Sequence, residues 1–227
     1  MDFNNRVLTT VELFGQSIWI TETHLSTWII MAVLIGIALL IRVTLKNFTE
    51  VPRGRQNIVE LLVETFDNFV KSIMGPENRG YGKWFLRVFV FILASNFSDL
   101  FNLRPPTADV STTLALSVST FAIVHASAIA KVPKAYVKSF FKPFFVFLPI
   151  NIMGDLSIIV SLGFRLFGNI LSGLIIVGLI YYLLPSFLTI VIPAVLHVYF
   201  DVLVGSIQAF IFTMLSMTFI RNKIIVE

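Results

Sequence analysis

The chain has 227 residues, 56% of them hydrophobic and 13% charged. Soluble domains carry roughly a quarter charged residues, so this composition, with a mean hydropathy of +0.87, points to a bilayer as solvent. The absence of cysteine excludes disulfides, iron–sulfur clusters and thiolate metal sites. The net charge of +4 is not read as nucleic-acid binding, because the basic residues sort by membrane side.

The segment from Met1 to Thr23 mixes Glu12, Glu22 and Arg6 with apolar residues. A cleavable signal needs a basic start and an apolar core of about 7–15 residues. This segment lacks that pattern and is expected to be short, exposed and close to the membrane interface. A spanning helix needs about 20 mainly apolar residues, and the first candidate is 23–41, closed by Arg42 and Lys46. Residues 56–74 differ. Ile58, Val59, Leu62, Phe66, Phe69, Val70 and Ile73 recur at helical spacing, while Asn57, Glu60, Glu64, Asp67, Asn68 and Lys71 fill the opposite face. That pattern predicts an amphipathic helix lying flat at the membrane surface, ended by Gly75-Pro76.

Two further spans are expected at 84–103 and 110–130, as a helical hairpin. A polar turn with Asp99, Asn102, Arg104-Pro105-Pro106 and Asp109 joins them. After Lys131, Lys134, Lys138 and Lys142 come two very long apolar stretches. Residues 143–184 hold only Asp155 and Arg165 as charges, and 186–220 only Asp201. At about 1.5 Å per residue each exceeds the roughly 30 Å of hydrocarbon. Strong tilt or a break at a glycine would each accommodate that length, and the sequence leaves both open.

Grouping basic residues by loop gives the orientation. Fourteen lie on one side, in 42–87, 131–142 and the C-terminal tail with Arg221 and Lys223; only Arg6 and Arg104 lie on the other. By the positive-inside bias the N-terminus is outside and the C-terminus cytoplasmic, after five crossings. The whole chain, 1–227, is expected to be a single all-α membrane domain without internal repeats.

Arg165 is the sharpest feature. Arginine keeps its charge in proteins, and a helix-centre arginine costs about 2.5–3.5 kcal/mol on insertion scales. It lies about twenty residues from either end of its apolar run, so snorkelling is hard. A functional role is the default for such a charge; a packing salt bridge to Asp155 or Asp201 is the plainer alternative. His197, Asp201 and Gln208 share one helical face at 100° per residue. They suggest a hydrated path or proton relay, against core packing for His197 and an interhelical hydrogen bond for Gln208. Ser161, Arg165, Asn169 and Ser172 form a second polar stripe, flanked by Gly163, Gly168 and Gly173. Small residues allow close helix approach, to a partner helix or to the chain's own last helix. No motif supports enzymatic chemistry.

The stretch SLGFRLFGN at Ser161–Asn169 closely resembles the signature of subunit a of the F-type ATP synthase. IQAFIF at Ile207–Phe212 and Asn96-x-x-Asp99 followed by Pro106-Thr-Ala-Asp109 match it too, and the resemblance covers roughly 25–222. It implies that the last two helices form a long, strongly tilted hairpin against a rotating c-ring, and that two offset half-channels carry protons or sodium ions to and from ring carboxylates. Arg165 matches the essential arginine that separates the half-channels. Asn169 and Gln208 match its polar neighbours. Asp155 takes an acidic position on the cytoplasmic path, and Asn96, Asp99 and Asp109 take polar positions near the outer entrance. The implied partners are the c-ring, the subunit b peripheral stalk, other Fo and F1 subunits and the lipid bilayer. No cofactor, metal or nucleic acid is implied, and the subunit itself does not hydrolyse ATP.

The chain departs from the family's pattern. Leu174 stands where many members have Glu or His, Asp201 where His, Glu or another residue occurs, and Ile158-Ile159 replaces a frequent Lys-Pro. Asp201 and His197 are therefore left to carry the outer path. The implied location is the bacterial plasma (inner) membrane, with a mitochondrial or plastid energy-coupling membrane as alternative. An autonomous channel or transporter and a membrane assembly factor are the rival readings. Copurification with a ring of small hairpin subunits separates them.

Overall fold

The computed structural model describes residues 7–13, 16–45, 54–101, 103–142, 144–185, 188 and 191–225. Arg6, Lys46, Arg53, Asn102, Pro143 and Ser186, used in the sequence reading, lie outside them. Among the described residues five helical segments are long and apolar enough to cross a membrane, as expected of an all-α membrane protein.

The first described segment is an antiparallel hairpin of β1 (Val7–Leu13) and β2 (Gln16–Thr21). This hairpin was not foreseen. Its β-branched and aromatic residues, Val7, Thr9 and Thr10 on one strand and Trp19 and Ile20 on the other, suit a pleated ribbon. Thr21 then caps α1 (Glu22–Thr44), together with His24 in a capping box. Only Thr23, Ser26 and Ile30 of α1 are buried, so most of this apolar helix has lipid as its solvent.

The remaining helices form a bundle around α8. α2 (Arg55–Met74) ends at Gly75, whose φ of 86° lies in the region that glycine enters without a Cβ penalty. α3 (Gly82–Phe97) and α4 (Val110–Lys131) follow as a hairpin. The basic loop beyond contains a short helix, α5 (Pro133–Phe140), started by proline at its first position. α6 (Leu148–Leu183) is a single unbroken helix of 36 residues. Its glycines do not break it, so of the two solutions to its length the break is excluded. The last span is α7 (Val191–His197), a π-helical stretch Val198–Val204, and α8 (Gly205–Ile224).

Two apolar clusters hold the bundle. Val88 and Ile92 of α3, Ile158, Leu162 and Leu166 of α6, and Ala209 and Phe212 of α8 make one. Val70 and Met74 of α2, Phe85, Val124, Met217 and Ile220 make the other. α8 contributes to both. Three buried hydroxyls fit this packing because they bond back along their own helices. Thr213 donates to the Ala209 carbonyl at 2.8 Å, Ser216 to Phe212 at 2.7 Å and Ser117 to Thr113 at 2.8 Å.

Glycine sets the closest approaches. A Cβ on Gly205 would lie 2.9 Å from the Cβ of Asn96, and one on Gly163 would lie 2.9 Å from Ser117 Oγ. The first clash is with an atom anchored to the α3 backbone, which cannot rotate away. Gly205→Ala is expected to cost about 1–3 kcal/mol, the scale of overpacking, measured as a lower melting temperature in detergent. Gly163→Ala is expected to cost less, because a hydroxyl can turn aside.

Candidate functional site

Arg165 sits at the middle of α6. Its neighbours Leu162 and Leu166 are fully buried in the cluster shared with Ala209 and Phe212. That fixes the rotation of the helix: the two leucines face the bundle while Phe164 and Arg165 are exposed. Ser161 and Ser172 are exposed on the same helix, and Asn169 is half-buried. The stripe foreseen in the sequence therefore faces outward. Of its flanking glycines, Gly163 is used against α4 and Gly173 against Phe200, while a Cβ on Gly168 would meet nothing within 4 Å.

Among the described residues Arg165 has no hydrogen-bond or ion-pair partner. The two carboxylates that could have neutralised it are engaged elsewhere. Asp155 pairs with Lys223, at 2.6 Å to Oδ1 and 2.7 Å to Oδ2. Asp201 bonds His197 Nδ1 at 2.8 Å. The plainer alternative, an internal salt bridge, is absent from this geometry.

Two polar clusters lie to either side of Arg165 along α6. The first gathers Asp99, in the turn after α3, with His197 and Asp201. His197 Nδ1 is 3.8 Å from Asp99 Oδ2, and the three residues bring one ligand atom each within 4.8 Å of one another. Such a set could hold a partly hydrated cation, but it is one ligand short of the four that structural zinc sites use. Gly173 packs on Phe200 between His197 and Asp201, about 12 Å along α6 from Arg165 at 1.5 Å per residue.

The second cluster lies in the other direction, about 15 Å from Arg165 by the same rise. Here Asp155 and Lys223 meet α5 and α4. The Lys223 ammonium stands 5.9 Å from the centre of the Tyr136 ring and 5.2 Å from that of Phe140. The Tyr136 hydroxyl bonds His125 Nδ1. Burial, helped by the negative charge of Asp155, raises the Tyr136 phenol above its ordinary range, so the hydroxyl keeps its proton.

The other foreseen residues have different surroundings. Asn96 is fully buried and cross-links three elements: its amide donates to the Gly205 carbonyl at 2.8 Å and accepts from Thr107 at 3.2 Å. Asp109 caps α4 by accepting from the Ser111 N–H at 2.9 Å, and it accepts from the Thr23 hydroxyl at 3.2 Å. Both side chains are occupied in joining helices. Gln208 is buried, and its Nε2 has no hydrogen-bond partner. Next to it, Ala209 packs in the cluster of Leu162 and Leu166, which sets an unspent amide donor near the level of Arg165. Asp201 lies within the π-helical stretch and Gln208 beyond it, on α8. The stretch's i→i+5 bonding takes extra residues per turn, so the single face drawn at 100° per residue through His197, Asp201 and Gln208 is interrupted. His197 and Asp201 do touch; Gln208 belongs to the next level.

Sequence reasoning missed His125, Tyr136 and Lys223 as site residues. His125 was visible as the sole ionisable side chain in its span. The Lys223–Asp155 pair joins positions 68 apart, and no local pattern announces it.

A family profile described as "ATP synthase A chain" matches residues 24–221. The "ATP synthase subunit a" of Moorella thermoacetica is 37% identical over 93% of this chain and 95% of its own length. "ATP synthase subunit a, sodium ion specific" of Propionigenium modestum is 32% identical over 90% of this chain and 74% of its own. "ATP synthase subunit a 1" of Syntrophotalea carbinolica is 34% identical, covering 96% and 90%. The profile's span holds the central arginine and the cluster of Asp99, His197 and Asp201, and the chain belongs to the ATP synthase A chain family.

Proposed function

We propose that this chain is the ion-conducting stator of an F-type ATP synthase, with Arg165 as a fixed cation between two half-paths. Membership in the family makes it a non-catalytic Fo subunit embedded in a membrane. The reading of its mechanism rests chiefly on one observation. A permanently charged guanidinium stands in mid-helix, exposed on the outer face of α6, with no anion among the described residues beside it.

An unpaired charge at membrane depth is costly, so its counter-charge comes from outside the chain. A ring carboxylate that passes in front of α6 supplies it in ionised form. Gly168, open on its outer side, and the small exposed Ser161 and Ser172 leave room for a closely approaching partner helix. The clusters at either side of Arg165 are the half-paths: Asp99, His197 and Asp201 towards one surface, Asp155 towards the other. An ion loaded from one cluster reaches the other only by riding the ring, because the arginine repels a direct passage. Each charge that crosses 100 mV carries about 2.3 kcal/mol, which the ring's rotation couples to ATP.

The remaining assignments follow the same reading. The Asp155 side carries the basic excess and faces the cytoplasm. The tilt of the α6 and α7–α8 pair along the c-ring fits their length into the bilayer. α2 lies at the interface, and the peripheral stalk with subunit b and other Fo and F1 subunits completes the partners. The location is a bacterial plasma membrane.

The test uses the whole complex in inverted membrane vesicles. Arg165→Ala is expected to abolish ATP-driven ion pumping while the complex still assembles; pumping at the wild-type rate refutes the proposal. Gly168→Leu is expected to leave the subunit's fold intact, since nothing within the chain occupies that space, yet to stop rotation-coupled pumping. Asp201→Asn is expected to slow pumping about a hundredfold, the scale of a lost proton-transfer group, while Asp109→Asn, which keeps a capping side chain, changes it little. Pumping measured with and without sodium decides which ion is carried.

A further inference from the structure

Four elements converge at the inner cluster, each bringing one titratable side chain: His125 from α4, Tyr136 from α5, Asp155 from α6 and Lys223 from α8. Only one of the four is anionic, and Lys223 engages both of its oxygens. The pair is largely withdrawn from solvent, with side-chain exposures of 13% for Asp155 and 23% for Lys223. The Tyr136 and Phe140 rings brace the ammonium from the linker side. Lys223 stands one residue before the last of α8, so its long stem hangs from a helix end.

We propose that Lys223 is a tethered competitor for the Asp155 carboxylate, which sets how strongly the inner half-path holds the transported ion. The inference rests on the reading that Asp155 lies on that path. A bare carboxylate in a low-dielectric mouth would bind a cation strongly and release it slowly. The Lys223 ammonium is a second cation for the same oxygens, always present and unable to leave. An arriving ion displaces it towards the Tyr136 and Phe140 rings, whose faces attract an ammonium. When the ion moves on, the ammonium returns. The carboxylate is thus never left unpaired in the membrane, and it never becomes a trap. A salt bridge that merely ties the end of α8 to α6 would serve assembly alone and leave ion affinity untouched.

The chain has no cysteine, so Lys223→Cys introduces its sole thiol, and charge can be restored chemically on assembled complexes. The experiment measures ATP-driven pumping in inverted vesicles against ion concentration on the exposed cytoplasmic side, corrected for uncoupled ATP hydrolysis. Lys223→Cys is expected to lower the half-saturating ion concentration about tenfold or more, the usual effect of losing an opposite charge at contact, and to lower the maximal rate. Treatment with aminoethyl methanethiosulfonate, which adds an ammonium, restores the wild-type value; the uncharged methyl reagent does not. Lys223→Arg keeps the wild-type value. An unshifted half-saturation, equal rescue by both reagents, or failure of every charge-removing variant to assemble overturns the proposal. Asp155→Asn separates the two levels. If it leaves both rate and half-saturation unchanged, the placement of Asp155 on the path is wrong; if it alters them while Lys223→Cys does not, only the competitor role is wrong.

Discussion

A positive charge in the middle of a 36-residue apolar helix sets the terms for everything around it. Charge at that depth needs a counter-charge, water or a protein partner. The bundle withholds the first: it places one acid about 15 Å away beneath a lysine, and another within a π-helical stretch beside a histidine. Each local pairing looks like ordinary stabilisation. Together they leave the arginine, exposed on the outer face of α6, without an anion among the described residues.

The fold that presents this charge depends on close contact around α8. Asn96 reaches the carbonyl of Gly205 because no side chain stands between the two backbones. Ser117 of α4 and Thr213 and Ser216 of α8 spend their hydroxyls on carbonyls four residues back. At these positions the helices approach through small polar side chains without leaving a donor stranded in hydrocarbon. Apolar clusters at two levels do the remaining work, with Leu162 and Leu166 fixing the rotation that turns Arg165 outward.

Much of this was readable from the residues. Long apolar runs, basic loops and the position of Arg165 are features of local sequence, and local sequence decides membrane insertion. The N-terminal hairpin was overlooked because hydropathy, applied to a mixed segment, masks a period of two. The inner cluster was overlooked for a different reason. Lys223 and Asp155 are 68 residues apart, and only packing brings them together; counted by loop, Lys223 was one more tail charge. Asp109 and Asn96 have a joining role that the sequence reading did not include. A polar residue at the mouth of a helical hairpin looks available for transport, yet both are occupied as joints between elements. His197 and Asp201 were foreseen together because four residues span one turn whether the helix is α or π. Gln208 was misplaced on their face because the wider turn lies between.

That wider turn has a consequence for how the last span can change over time. A π-helical stretch is an α-helix that has absorbed additional chain without losing its continuity. Asp201 lies within Val198–Val204 and His197 just before it: gaining or losing a residue here re-aims the acid and histidine while Ala209 and Phe212 keep their seats in the core. In an unbroken α-helix the same insertion would turn every later side chain by about 100°, the twist that 3.6 residues per turn implies. The segment acts as a slip joint, which takes up a change of one residue without disturbing the helix that follows it.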